Sequence, residues 1–253
     1  CRTLQRALSL VKTGPASIFL SSSAPHSLCN VVVSTSFLTI TGQCENGDSS
    51  CLPVLDCSGC ASCITASAVA SHLVLSNLRM INSLSAAITF YDSLMADTIA
   101  LQSHAGAVIC KLPFNASSAT YLSGTLNIVN STVTGNVWSN AHQPTLPCTA
   151  LIDHIGGDVS IFNCTLSSNS VGHALLLRVA GDANLSQKSL YTLRCNRSIF
   201  SNNTASVNAN SSIVTVTDMR QVLFTDSSLL QNTGPGAVSY THLRAHETKA
   251  NLV

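Results

Sequence analysis

The stretch that decides the fold is Asn130–Asn136, reading NSTVTGN, because it returns three times: NCTLSSN at 163–169, NRSIFSN at 196–202 and DSSLLQN at 226–232. The shared pattern is Asn or Asp, any residue, Ser or Thr, an aliphatic residue, two further positions and Asn, at steps of 33, 33 and 30 residues. A short alternating apolar stretch precedes each copy: Leu126–Ile128, Val159–Ile161, Leu190–Leu193 and Val222–Phe224. A fainter copy, LVLSNLRM at Leu73–Met80, precedes Asn130 by 53 residues (Asn77 to Asn130), a distance that fits two shorter units with a degenerate copy near Thr98–Leu101. Period-2 alternation makes a half-buried strand. Asn after a strand suits a left-handed backbone position and can hydrogen-bond locally. One such unit cannot bury its apolar face, but units stacked at roughly 4.8 Å per coil share a continuous core.

Working outward, the composition agrees with stacking. The 253 residues include 38 Ser, 23 Thr and 19 Asn, while charged residues make up 9% and aromatics 5%. Like charges repeated at one coil position would repel across neighbouring strands, whereas Ser, Thr and Asn can form hydrogen-bonded ladders. An antiparallel sandwich should carry hairpin turns such as Asn-Gly, and the chain has just one, Asn46-Gly47. The expectation is therefore an all-β, right-handed parallel β-helix of about eight coils. A formal net charge of +1 without a basic run lacks the footprint of a nucleic-acid binder. The charge-poor make-up also excludes a coiled coil and a charge-rich disordered tail. No apolar run is long enough to span a membrane as a helix, so membrane attachment is expected only through an anchor outside this sequence.

At the N-terminus, Leu4, Ala7, Leu8 and Val11 share one helical face before Gly14-Pro15 stops the helix. Residues 1–14 are read as a cap over the first coils, an ordinary surface helix being the alternative. Five of the 11 cysteines, Cys44, Cys51, Cys57, Cys60 and Cys63, crowd into residues 44–63. Two CxxC steps could converge on zinc or an iron–sulfur cluster, but a fourth ligand at matching spacing is missing, and disulfides in an oxidising compartment are the preferred reading. Sequons at Asn115, Asn130, Asn163, Asn184, Asn196, Asn202 and Asn210 point the same way. Asn115, Asn184 and Asn210 lie between units, on expected loops, and are the preferred glycan acceptors. The chain opens on Cys1, as a fragment or a mature product would.

These segments carry a resemblance. CRTLQRAL at 1–8, LTITG at 38–42, PVLDCSG at 53–59 and Leu73–Leu75 look like the opening of pectin-lyase-like β-helix proteins. Phe200–Asn203, with related copies at Leu166 and Leu229, resembles the Phe-x-x-Asn repeats of chlamydial polymorphic outer-membrane proteins, and GPGAV at 234–238 resembles their Gly-Gly-Ala motif split by Pro. The likeness implies a secreted or surface-exposed passenger with an adhesion or binding role and no required catalytic apparatus. Residues 1–238 are expected to form the β-helix domain. Residues 239–253 are set apart, because YTHLRAHETK at 240–249 resembles a translated sequencing adapter, a native polar tail being the alternative.

Many β-helices cleave polysaccharides, and such chemistry would fall to the carboxylates. Glycoside hydrolysis needs two or three converging across the bond, and the chain has nine Asp and two Glu. Asp153, Asp158 and His173 form the one tempting cluster, faintly like the Asp and Gly-His elements of polygalacturonases, although no Asp-Asp pair occurs. Asp153 and Asp158 are read more simply as turn residues beside Gly156-Gly157. Asp92 and Asp97 near Lys111 are a weaker lyase-like set, exposed strand-edge polar residues being the alternative, and Trp138 is a candidate sugar platform or a packed loop aromatic. The expectation is a non-enzymatic recognition or structural protein, extracellular or at the cell surface, with a polysaccharide or a surface protein as partner and no cofactor. The alternative is a polysaccharide-active lyase or hydrolase.

Overall fold

The computed structural model describes residues 4–11, 14–23, 25–44, 51–67, 72–114, 121–138, 148–172, 175–181, 190–205, 213–234, 238–241 and 251–252. After the helix α1 (Leu4–Leu10), the chain runs through β1 (Pro15–Ser21), β2 (His26–Ser27) and β3 (Val31–Val33), then β4 (Phe37–Gln43), β5 (Val54–Asp56) and β6 (Ser62–Ala66). Two passes use longer strands: β7 (His72–Ile81) with β8 (Ala86–Phe90), and β9 (Ser93–Gln102) with β10 (Ala107–Lys111). Three-strand passes then resume with β11 (Leu126–Val129), β12 (Thr132–Thr134) and β13 (Ala150–Ile155), followed by β14 (Val159–Phe162), β15 (Thr165–Ser167) and β16 (Leu175–Ala180). The last are β17 (Thr192–Asn196), β18 (Ile199–Ser201) and β19 (Val214–Thr217), then β20 (Gln221–Thr225), β21 (Ser228–Leu230) and β22 (Val238–Thr241), with β23 (Asn251–Leu252) at the end.

Each strand pairs in parallel with its counterpart in the next pass. One sheet of eight strands runs β22-β19-β16-β13-β10-β8-β6-β3, and a second of fifteen strands holds the rest. The larger sheet curls round a corner because β7 and β9 run unbroken through Asn77 and Thr98, both left-handed at φ 53° and 54°. This all-β, parallel, repeatedly returning path is consistent with a β-helix or solenoid. β22 straddles the boundary expected at Val238 and pairs with β19, while β23 pairs with β21.

Two columns of left-handed residues make the corners. The first is Asn77, Thr98, Asn130, Asn163, Arg197 and Asp226; the second is Asn82, Ser103, Gly135, Ser168, Asn202 and Gln231. Inside each corner a polar side chain completes the backbone of the coil before. At the first, Ser131 Oγ accepts the Ile99 N–H at 3.1 Å, Ser198 Oγ that of Cys164 at 3.2 Å, and Ser227 Oγ that of Ser198 at 3.1 Å. At the second, Asn136, Asn169 and Asn203, all buried, and the half-buried Asn232 form an amide ladder in which each Oδ1 accepts the backbone N–H of the residue one coil earlier. A buried polar group is tolerated only when its hydrogen bonds are made, and the stack makes them between coils.

The third repeat copy departs from the sequence reading by one residue. Phe200, fully buried, stands in register with Leu166 and Leu229, whereas Ile199 is 43% exposed. Arg197 rather than Asn196 takes the left-handed corner, and Asn203 rather than Asn202 enters the ladder. The additional residue lies ahead of this corner, because Leu193 already pairs with Val159 and Asn196 with Phe162 in the same offset that Ile199 keeps with Thr165 beyond it.

Inward positions alternate cleanly in β4, β11 and β14, and in β7 on either side of the Asn77 corner. In β8, β10 and most of β13 both faces are buried, and those strands read as continuous apolar runs. α1 is shorter than residues 1–14. Leu4 is buried and Ala7 and Leu8 pack on the core, while Leu10 is 59% exposed.

Four disulfides link Cys29–Cys60, Cys44–Cys51, Cys57–Cys63 and Cys110–Cys148. The five clustered cysteines are thus all bonded, with Cys60 reaching back to tie the second pass to the first. Such bonding suggests an oxidising, extracellular environment. Among the described residues no helix is long and apolar enough to cross a membrane, and no group of three or more His, Cys, Asp and Glu side chains could hold a metal.

Candidate functional site

β13 carries Asp153, and Asp158 follows it beyond the Gly156-Gly157 corner. Asp153 and His154 are successive strand residues and so face opposite sides of the sheet. Asp153 lies inside β13, not in a turn, and is 2% exposed. Its Oδ2 accepts the backbone N–H of Thr149 at 2.7 Å and the Thr149 hydroxyl at 3.3 Å, and Arg178 Nη1 lies 3.4 Å away. Its Oδ1 is buried without a hydrogen-bond partner. Burial pushes the Asp153 carboxyl above its ordinary range, and Arg178 only partly offsets this. Cys110, in register with Asp153 on the neighbouring strand, carries the disulfide to Cys148 beside this cluster.

His154 is fully buried, and its ring stacks on Phe90 with centroids 6.0 Å apart. Neither ring nitrogen makes a hydrogen bond of good geometry. Burial, reinforced by the Lys111 charge, holds the imidazole well below its usual pKa, so it stays neutral. Lys111 is itself buried. Its Nζ donates to the carbonyls of Leu122 at 2.7 Å, Gly124 at 3.1 Å and Gly156. An ammonium in the core is sustained by such a cradle of carbonyl dipoles, and Lys111 is an internal anchor rather than a base over a groove.

Other described carboxylates are engaged by the chain's own donors. Asp158 Oδ1 accepts the Thr192 N–H at 2.7 Å, past the Gly156-Gly157 corner. Asp97 Oδ1 accepts from Thr98 Oγ1 at 3.1 Å and Asn130 Nδ2 at 3.3 Å, and Asp92 Oδ1 from Ser93 Oγ at 3.4 Å. Asp56 is held below its usual pKa chiefly by the Ser58 hydroxyl. Trp138 is 9% exposed and belongs to the core cluster, so it presents no open platform. His173 and the preferred glycan acceptors Asn115, Asn184 and Asn210 lie outside the described residues.

The outward face of the larger sheet offers a different chemistry. Phe19 is 59% exposed, and Phe37, 38% exposed, stacks on His72 at 5.8 Å. The Thr41 and Ser76 hydroxyls bond at 2.9 Å along the same face, and Asn163 Nδ2 donates to Asn130 Oδ1 at 2.8 Å. The Arg197 guanidinium lies 5.9 Å from the Phe162 ring centre. Hydroxyls, amides and a few aromatic rings suit uncharged ligands such as sugars or another polypeptide surface. The register that lines them up is not legible until the strands are paired. No protein-family profile, no curated protein and no solved structure matches this chain, and its functional reading rests on these residues.

Proposed function

We propose that this chain is part of a secreted or cell-surface, right-handed parallel β-helix of the pectin-lyase-like kind, capped by α1, whose role is adhesion, recognition or structure rather than catalysis. The observation that carries this reading is the employment of the carboxylates. Asp97, Asp153 and Asp158 each accept hydrogen bonds from the chain's own backbone or side-chain donors, on different parts of the coil. Glycoside cleavage instead needs two carboxyl groups aimed at one bond. The disulfides support an extracellular setting, and the outward hydroxyl, amide and aromatic columns support a polysaccharide or a surface protein as partner.

One observation favours the alternative of a polysaccharide-active enzyme. Asp153 combines a raised pKa, a free oxygen and a neighbouring arginine, which are attributes of a general acid. Incubation with pectin and alginate, followed by affinity electrophoresis and a reducing-end assay, separates the two. Retardation without new chain ends supports recognition. New ends that vanish in Asp153→Asn overturn it in favour of catalysis.

A further inference from the structure

The buried amide ladder has one member that is not an amide. In the pass containing β9, the position held elsewhere by Asn136, Asn169, Asn203 and Asn232 belongs to His104, 1% exposed. Its Nδ1 accepts two hydrogen bonds from Ser83, one from the backbone N–H at 3.0 Å and one from the hydroxyl at 2.8 Å. Its Nε2 donates to the Met80 carbonyl at 3.1 Å, and its own N–H donates to Asn136 Oδ1 at 2.9 Å. The imidazole thus reproduces what each asparagine does: it accepts the N–H of the preceding coil and donates to that coil's carbonyl. The Ser83 N–H, bonded straight to the acceptor, also fixes the tautomer, with the proton on Nε2.

The equivalence lasts only while Nδ1 is bare. An asparagine amide keeps its acceptor across the physiological pH range, whereas a protonated Nδ1 turns its own N–H toward the Ser83 N–H. The Ser83 hydroxyl can rotate to accept, but a backbone N–H cannot. We propose that His104 is an acid-sensitive link in the ladder, at which the coil containing β7 loosens from the coil containing β9 at low pH while the asparagine-linked coils beyond remain closed.

The groups facing the ring carry no charge: Met80 and Ser83 come from the coil before, and Asn136 from the coil after. Asp56, one coil further back, is engaged with Ser58 and Asn82 at the exposed rim. Burial rather than a neighbouring charge lowers the His104 pKa from 6.5 to about 4. Because the folded value is depressed, the open form takes the proton first. The contribution is intact above pH 6.5, falls about tenfold per pH unit below it, and is exhausted near pH 4. His154 and Lys111, both buried, lie on β13 and β10 of the eight-stranded sheet and would act on their own strands.

The test is residue-resolved amide exchange on the full chain at pH 7.5 and 5.5, corrected for intrinsic rates, with His104→Asn beside the wild type. In the wild type, protection of the Ser83 amide should fall about tenfold more than that of Asn203 between the two values. In His104→Asn the two amides should move together. Ser83 keeping step with Asn203 in the wild type, or an undiminished extra fall in the variant, would overturn the proposal. Should the variant not fold, the ring titration of wild-type His104 by NMR decides alone: a value near 4 to 5 supports the link, and one near 6.5 removes it.

Discussion

Truncating Asn169 to alanine isolates what the amide ladder contributes. Asn169 Oδ1 accepts from the Asn136 N–H at 3.1 Å and from Asn136 Nδ2 at 2.9 Å, and its Nδ2 donates to the Val133 carbonyl and to Asn203 Oδ1, both at 2.9 Å. In Asn169→Ala, Asn136 Nδ2 keeps the Leu101 carbonyl and Asn203 Oδ1 keeps the Asn169 N–H. The Asn136 N–H and the Val133 carbonyl lose their side-chain partner in a buried place. Each buried group left unsatisfied costs about 1–3 kcal/mol, so the expected loss is about 2–6 kcal/mol. Asn163, six residues away, provides the control. It is exposed, and its amide bonds only along the solvent-facing corner column, so Asn163→Gly, which keeps the left-handed backbone open to the chain, should cost about 1 kcal/mol or less. Urea unfolding followed by circular dichroism gives both numbers. Because stacked repeats can open piecemeal, amide exchange at Asn136 and Asn203 should accompany it. Equal, small losses in the two variants would refute the reasoning that the ladder holds successive coils together.

Other changes have defined outcomes. Lys111→Met removes the donor serving three carbonyls in the core and should cost about 3 kcal/mol or more by urea midpoint, a loss below about 1 kcal/mol arguing against the anchor. Cys164 fills a position occupied by serine at 131, 198 and 227 in the corner column, and burial pushes its thiol up to about 11. Cys164→Ser should therefore stay within about 1 kcal/mol of the wild type, and native Cys164 should resist iodoacetamide at pH 8 until urea opens the stack. Gly157→Ala sets a Cβ against the Gly124 carbonyl at φ +123° and should lower the thermal midpoint sharply, whereas Gly59→Ala, with open space around it, should bear only the cost of its left-handed backbone, about 1 kcal/mol.

What could be read before any strand was paired is instructive residue by residue. Asn136 and Asn169 announced themselves because one side chain type repeatedly does one backbone task, which leaves a period in the chain. Asn196 and Asn202 fit that period equally well by letter, yet the backbone uses Arg197 and Asn203. A left-handed corner accepts several residue types, so the letters could not reveal the extra residue, whereas the burial of Phe200 does. His104 escaped for a related reason, since an imidazole satisfies the same donor and acceptor without resembling an amide. Lys111 looked like a surface cation because charge normally stays in water, and only the convergence of Leu122, Gly124 and Gly156 from other parts of the chain overrides that rule. The disulfide Cys29–Cys60 likewise depends on the register of β3 with β6, and no local spacing encodes it.

The central claim is that residues about one repeat apart lie directly over one another. The most direct measurement is a set of through-space NMR contacts from the side-chain amide protons of Asn169 in the isotopically labelled full chain. The stacked arrangement requires cross-peaks to the backbone amide of Asn136, one coil before, and to the side chain of Asn203, one coil after. An Asn169 amide whose close neighbours all come from its own strand and adjacent turn would contradict it.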